Sequence, residues 1–122
     1  MLTKIGHKNF TLLSQLLDLH SARQRVHAQN VANVNTPNYR RRELKFESAL
    51  QNAMEGGTAQ HYKNIRGWVD RPNNTAVRNN GNNVDIDMEM TSIRENSASY
   101  EMFTQVYNKR ASLIKQAIRG GR

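Results

Sequence analysis

The Thr36-Pro37 step constrains this chain more than any other feature, because it stands where a long apolar-periodic run stops. Proline has no backbone N–H and biases the residue before it away from the helical region, so a helix arriving from the amino terminus is expected to end by about Asn35. Pro37-Asn38 suits the two central positions of a tight turn, proline presetting the first dihedral and asparagine tolerating a positive one at the second. Ahead of the stop, Asn30 and Asn33 are spaced to share a helix face, while Ala28 and Ala32 allow close backbone approach. Amides placed there can hold a returning chain by hydrogen bonds. The alternative is a frayed helix end with its asparagines facing water.

Upstream of the turn, Phe10, Leu12, Leu13, Leu16, Leu17, Leu19, Ala22, Val26 and Ala28 recur at three- and four-residue intervals, which predicts one amphipathic helix from about residue 9 to 34. Near the other terminus, Ile93, Tyr100, Tyr107 and Ile114 repeat every seven residues, with Met90, Ser97, Thr104, Ala111 and Ile118 on an adjacent track. Phe103, Val106 and Leu113 widen that stripe. The pattern predicts a second long helix with a coiled-coil-like seam from about Asp87 to Arg119, stopped by Gly120-Gly121. Val84, Ile86 and Met88 alternate with acids and suggest an extended lead-in, with Asp85 or Asp87 as cap and Glu89 in the first turn.

Between these runs, Leu44 and Phe46 alternate with charged neighbours and predict a short extended piece passing into a loose helical turn. From Gln51 to Asn83 there are four glycines, eight asparagines and one proline, with no helical period. That composition reads as a flexible loop or small irregular hairpin, anchored by Ile65, Trp68, Val69 or Val77. Trp68 either fills a groove on a partner or pins the loop to its own core. The expected class is therefore all-α: an amino-terminal helix within residues 1–35, an irregular middle over 36–82, and a carboxy-terminal helix within 83–122, the two long helices packed antiparallel. Leu13, Leu16, Leu17, Val26, Ile93, Tyr100, Phe103, Tyr107 and Ile114 are the expected packing and assembly residues. Two helices make a thin core and carry more apolar surface than one pairing uses, so burial against neighbouring copies is expected.

An apolar content of 37% over 122 residues is low for a compact core and points to partial disorder or a need for a partner. The formal charge of +8 asks first for an acidic partner. Its distribution, acids toward the start of the second helix and bases toward its end, is also what the helix dipole favours. Arg40-Arg41-Arg42 is either a phosphate or lipid-headgroup site or a solvated turn flanked by Glu43 and Glu47. No stretch approaches a membrane span or a cleaved apolar leader, so a soluble chain with no direct membrane insertion is expected. The chain has no cysteine, which removes disulfides and thiolate chemistry. His20 and His27 share a face but stand seven residues apart, too far to share a zinc ion. Asp85, Asp87 and Glu89 lack the glycine and final glutamate that a calcium loop wants, since Met90 and Asn96 occupy those places. No phosphate loop, nucleophile elbow or apolar acid pair is present, so no catalytic residue, metal or cofactor is expected.

The run Ala28-Gln29-Asn30-Val31-Ala32-Asn33-Val34-Asn35-Thr36-Pro37-Asn38-Tyr39 resembles the amino-terminal signature of the flagellar rod, hook and hook-associated axial proteins, in the spacing A-x-N-x-A-N-x-x-T-P-x-Y. Ala28, Asn30, Ala32, Asn33, Thr36, Pro37 and Tyr39 are the matched positions. The short chain, and Gly81-Asn82-Asn83-Val84-Asp85 followed by Glu89, resemble the proximal rod subunits more than hook or distal rod proteins with their large central domains. The resemblance covers the two terminal helices. It implies a subunit exported unfolded through the flagellar type III apparatus without a cleaved signal, polymerising in the periplasm into the basal-body rod. The implied partners are copies of itself, other rod subunits, a rod-to-ring adapter, the membrane ring and the export gate, and no nucleic acid. On this reading Leu17→Asp or Ile114→Asp stops rod assembly without affecting export. From a different class, a small basic helical nucleic-acid-binding protein using Arg40 to Arg42 and the basic tail is the competing reading.

Overall fold

The apolar period of the amino-terminal run winds a single helix, α1, from Leu2 to Ala32, and that of the carboxy-terminal run winds α4, from Ile86 to Gly120. The computed structural model describes residues 2–120, with burial and side chains from residue 6. α1 begins seven residues earlier than the apolar pattern suggests, because helix continues through Gly6 and the polar residues beside it. The expected stop for α4 falls on Gly120, its last helical residue, and Gly121 lies outside the described residues.

α1 and α4 pack antiparallel. Phe10 meets Tyr107 edge to face with ring centroids 5.1 Å apart, His20 meets Asn96, and His27 meets Glu89. The fold class is all-α, with one minor addition: β1, Glu43–Lys45, pairs antiparallel with β2, Trp68–Asp70. Asp85 is the cap of α4, its carboxylate accepting from the Met88 N–H at 3.2 Å. Ile86 and Met88 are therefore helical rather than part of an extended lead-in.

The middle segment is more ordered than its composition suggests. Two short helices, α2 (Glu47–Gly56) and α3 (Ala59–Lys63), follow β1; α3 and β1 lie against α1, and α2 packs on α3. Phe46, Ala49, Leu50 and Ala53 have helical spacing, but over too few turns to stand out in the sequence. Gly57 closes α2 with φ +66°, and Thr58 caps α3 by accepting from the His61 N–H. The central core is built here: Leu16 and Leu19 of α1 enclose Phe46, Ala53 and Ile65, with Phe103 of α4 packed alongside. Of the expected anchors only Ile65 is buried. Trp68, Val69 and Val77 are all exposed, so Trp68 does not pin the segment. A two-stranded ribbon has one face on the core, and Leu44 occupies it.

The turn after α1 has the expected form. Pro37 and Asn38 are its central residues, Asn38 has φ +62°, and the Tyr39 N–H donates to the Thr36 carbonyl at 3.3 Å. Gly81 lies against this turn with φ +82°, and a Cβ there would collide with the Asn38 side chain. Gly81→Val combines that clash with a left-handed backbone, and a loss of about 1–3 kcal/mol in thermal unfolding is expected, by a mechanism confined to this corner.

Candidate functional site

Asparagine side chains build the corner where α1, the turn and the start of α4 converge. Asn30 is fully buried near the end of α1 and pairs with the returning strand in both senses. Its amide donates to the Arg42 carbonyl at 2.8 Å, and its oxygen accepts from the Arg42 N–H at 3.0 Å and the Tyr39 hydroxyl at 2.9 Å. Asn33 works locally, donating to the Gln29 carbonyl and accepting from the Thr36 hydroxyl. Among the two candidate amides, then, Asn30 holds the returning chain and Asn33 shapes the turn.

Asn82 and Asn83 complete the clamp from the other side. The Asn82 amide donates to the Asn33 and Thr36 carbonyls at 2.8 and 2.9 Å, and the Asn83 oxygen accepts from the Arg41 N–H at 2.6 Å. The Asn82 amide thus gives the Asn33 and Thr36 carbonyls, each already accepting a backbone N–H of the turn, a second donor where the helix stops. Asn30→Ala removes three hydrogen bonds and leaves two part-buried backbone groups of Arg42 without this partner. A loss of about 2 kcal/mol in urea unfolding is expected, with little change for Asn33→Ala.

Beneath the clamp lies a buried ionic network. Arg41 and Glu89 are both fully buried, and the Arg41 Nε donates to Glu89 Oε1 at 2.8 Å. Arg41 Nη1 reaches Glu43 at 2.7 Å and Asn74 at 3.0 Å, and His27 Nδ1 lies 2.7 Å from Glu89 Oε2. Burial by itself would raise the Glu89 carboxyl, but hydrogen bonds from His27 and Arg41 hold it below the ordinary carboxylate value. The triple arginine is thus neither a phosphate site nor a solvated turn at its centre. Arg40 is exposed, Arg42 is half-buried through its backbone pairing, and Arg41 is locked inside.

A second polar layer lies two turns along the helix pair. His20 Nδ1 meets Asn96 Oδ1 at 2.8 Å, and the Asn96 amide donates to the His20 carbonyl and to Gln24, both at 2.7 Å. The His20 ring sits between Phe46 and Phe103, with centroids 5.2 and 5.4 Å away. His20 and His27 are accordingly interior contacts between helices. Their spacing carried the signal: Leu13, His20 and His27 recur at seven residues on α1, and Glu89, Asn96 and Phe103 at seven on α4. Among the described residues no group of three or more histidine or carboxylate side chains could hold a metal ion, and no helix is long and apolar enough to cross a membrane.

The remaining candidate residues divide by position along the helix pair. Leu13 and Leu16 are buried, and Leu17, Val26, Ile93, Phe103 and Tyr107 are half-buried. Tyr100 and Ile114 are exposed, as are the signature residues Ala28, Ala32, Thr36 and Pro37. The two alanines take no part in the clamp. Among the described residues, most exposed large apolar side chains gather on α4. In its carboxy-terminal half Met102, Val106, Leu113, Ile114 and Ile118 are exposed, with Leu113 at 55% and Ile118 at 71%. Here α4 has α1 beside it, while α3 and β1 pack on α1 and α2 packs on α3.

Known proteins share this sequence along most of its length. The chain is 35% identical over 113 residues to the flagellar basal body rod protein FlgB of Borrelia hermsii, covering 78% of this chain and 84% of that protein. It is 28% identical over 121 residues to the protein of the same name from Bacillus subtilis strain 168, covering 90% and 92% of the two. Against the Salmonella typhimurium protein of that name the identity is 29% over 126 residues, covering 88% and 90%. No protein-family model matches the chain.

Proposed function

The chain belongs to the flagellar basal body rod protein FlgB family, and from that premise we propose that it is a structural subunit of the bacterial flagellar rod, polymerising through its terminal helices. The observation that carries the assembly reading is the bare carboxy-terminal half of α4. A run of exposed methionine, valine, leucine and isoleucine on a two-helix projection leaves apolar surface uncovered by the chain itself, and such surface marks a contact with another molecule. The ordered corner supports the same reading. It fixes where the segment after α1 leaves the helix pair, giving each copy one shape to present to its neighbours.

Within that assembly the subunit belongs at the proximal end of the rod. There it joins the membrane ring and export gate to the more distal rod, in the periplasm, after export without a cleaved signal. Its partners are copies of itself, other rod subunits and the rod-to-ring adapter, held by packing and without chemistry of its own. The nucleic-acid reading has no support: Arg41, the centre of its proposed phosphate site, is buried and paired to two carboxylates.

A chromosomal deletion tests the function directly. Loss of motility, with rings but no rod in electron micrographs of purified basal bodies, is the expected result. A motile strain with intact basal bodies would overturn the proposal.

A further inference from the structure

Between β1 and α4 lies a half-enclosed cleft of about 380 Å³ whose floor is α1. The floor supplies acceptors. His27 is only 6% exposed, and its Nδ1 lies 2.7 Å from Glu89 Oε2, an oxygen of a carboxylate held ionised. An ionised carboxylate only accepts, so Nδ1 donates and the other ring nitrogen, Nε2, keeps a lone pair. His20 is fixed in the same sense: the Asn96 amide donates to the His20 carbonyl and to Gln24, so the Asn96 oxygen accepts from His20 Nδ1. Neither Nε2 makes a hydrogen bond among the described residues, and the one buried polar side-chain atom left without a partner there is Arg41 Nη2. His27 Nε2 therefore opens into the cleft that its ring lines.

Charge points the same way. Arg23 and Lys45 line the cleft against Glu43, Glu47 and Glu95. Both cations are engaged, Arg23 by Glu47, the Leu44 carbonyl and the Phe46 ring, and Lys45 by Asp70. Arg41 faces Glu43 and Glu89 together, one cation for two carboxylates. Glu95 is exposed and has no ion pair among the described residues. In a chain of formal charge +8, this cleft is short of cations and rich in acceptors.

We infer that the cleft receives the guanidinium of an arginine side chain carried by another protein chain, with His27 Nε2 and Glu95 as its acceptors. The group has to bring positive charge and several N–H donors into a half-enclosed space. Guanidinium presents five donors in a planar fork and is more weakly hydrated than an ammonium, so arginine fits better than lysine. Ser92 and Ser99 on the α4 wall offer hydroxyls to the remaining donors, and Leu44 offers the arginine stem an apolar surface that a bare guanidinium ion would not use. A metal ion fits worse, because among the described residues no three ligating side chains converge. The inference goes beyond the rod reading and does not depend on it, since it concerns what one cleft of the folded chain binds.

The test titrates the isotope-labelled full chain with acetyl-Gly-Arg-Gly-amide at low salt, reading the His27 ring nitrogens by NMR. Saturable binding that moves the Nε2 resonance and leaves Nδ1 nearly unmoved is expected. The lysine counterpart of the peptide and guanidinium chloride should each bind several-fold more weakly, and the citrulline counterpart, which keeps the shape without the charge, should not saturate. Glu95→Gln should weaken the arginine peptide on the order of tenfold. Glu101→Gln, exposed on the same helix and outside the cleft, should leave it unchanged. Both positions are exposed, and circular dichroism of each variant checks that the helices persist.

Equal affinity for the arginine and lysine peptides, indifference to Glu95→Gln, or a His27 ring carrying both protons in the free chain at neutral pH would each overturn the assignment. Zinc that moves Nε2 at lower concentration than the peptide would overturn it in favour of a metal site. Guanidinium chloride binding as tightly as the peptide would overturn the arginine side chain as the source. The deletion strain decides the rod reading separately.

Discussion

Replacing Arg41 by alanine is expected to cost about 3–5 kcal/mol of stability in urea unfolding, because it leaves Glu89 buried and ionised without its guanidinium partner. The loss comes from stranding the carboxylate more than from forfeiting an attraction, so the same change at an exposed pair such as Lys45 and Asp70 should cost far less. Arg41→Lys should recover little. The guanidinium uses Nε toward Glu89 and Nη1 toward Glu43 and Asn74, a fork that a single ammonium cannot reproduce. Acid provides a second reading of the same site. Glu89 is held below its unfolded value, so its contribution is fully present above that value and is lost as pH falls through the folded one. With Arg41 gone the carboxyl rises, and acid unfolding should begin at higher pH than in the wild type. A loss below about 1 kcal/mol, with an unchanged acid limb, would mean that the network is not the keystone of the corner.

The difference between Thr36-Pro37 and Arg41 explains what could be read from the sequence. The turn is a local matter of backbone dihedrals, so residue types alone announce it, and Asn38 duly takes its positive φ. The long helices are legible for a similar reason, since dozens of residues repeat one period. Arg41 reads locally as part of a phosphate or lipid-headgroup site or of a solvated turn because its partner stands 48 residues away, and no local pattern records that pairing. Polar residues on an apolar period are a weaker signal that was still available. Glu89 and Asn96 stand at seven-residue intervals from Phe103, and His20 and His27 do the same from Leu13. Placed antiparallel, the polar members of those two series meet, His20 with Asn96 and His27 with Glu89. The middle segment was harder to see. Its short helices are cut by Gly56-Gly57, and its order derives from packing on Leu16 and Leu19 of α1 rather than from its own composition.

Leu113→Asp is expected to abolish rod assembly and motility while leaving the isolated chain as stable as the wild type within about 0.5 kcal/mol. The side chain is more than half exposed, so a carboxylate there costs the monomer little, whereas in an apolar contact it is a charge without a partner. Leu16→Asp supplies the contrast. Leu16 is buried among Leu19, Phe46 and Ile65, and the same substitution there should unfold the central core before assembly can be asked about. Leu17→Asp and Ile114→Asp fall between these limits: Leu17 is half-buried, and Ile114, 40% exposed, lies toward Gly6 of α1. Either of them can loosen the helix pair as well as the contact between subunits. Leu113 therefore separates folding from assembly more cleanly, by thermal unfolding of the purified variant beside motility of the strain that carries it. A motile strain bearing a stably folded Leu113→Asp chain would show that the bare half of α4 is not the surface through which the rod is built.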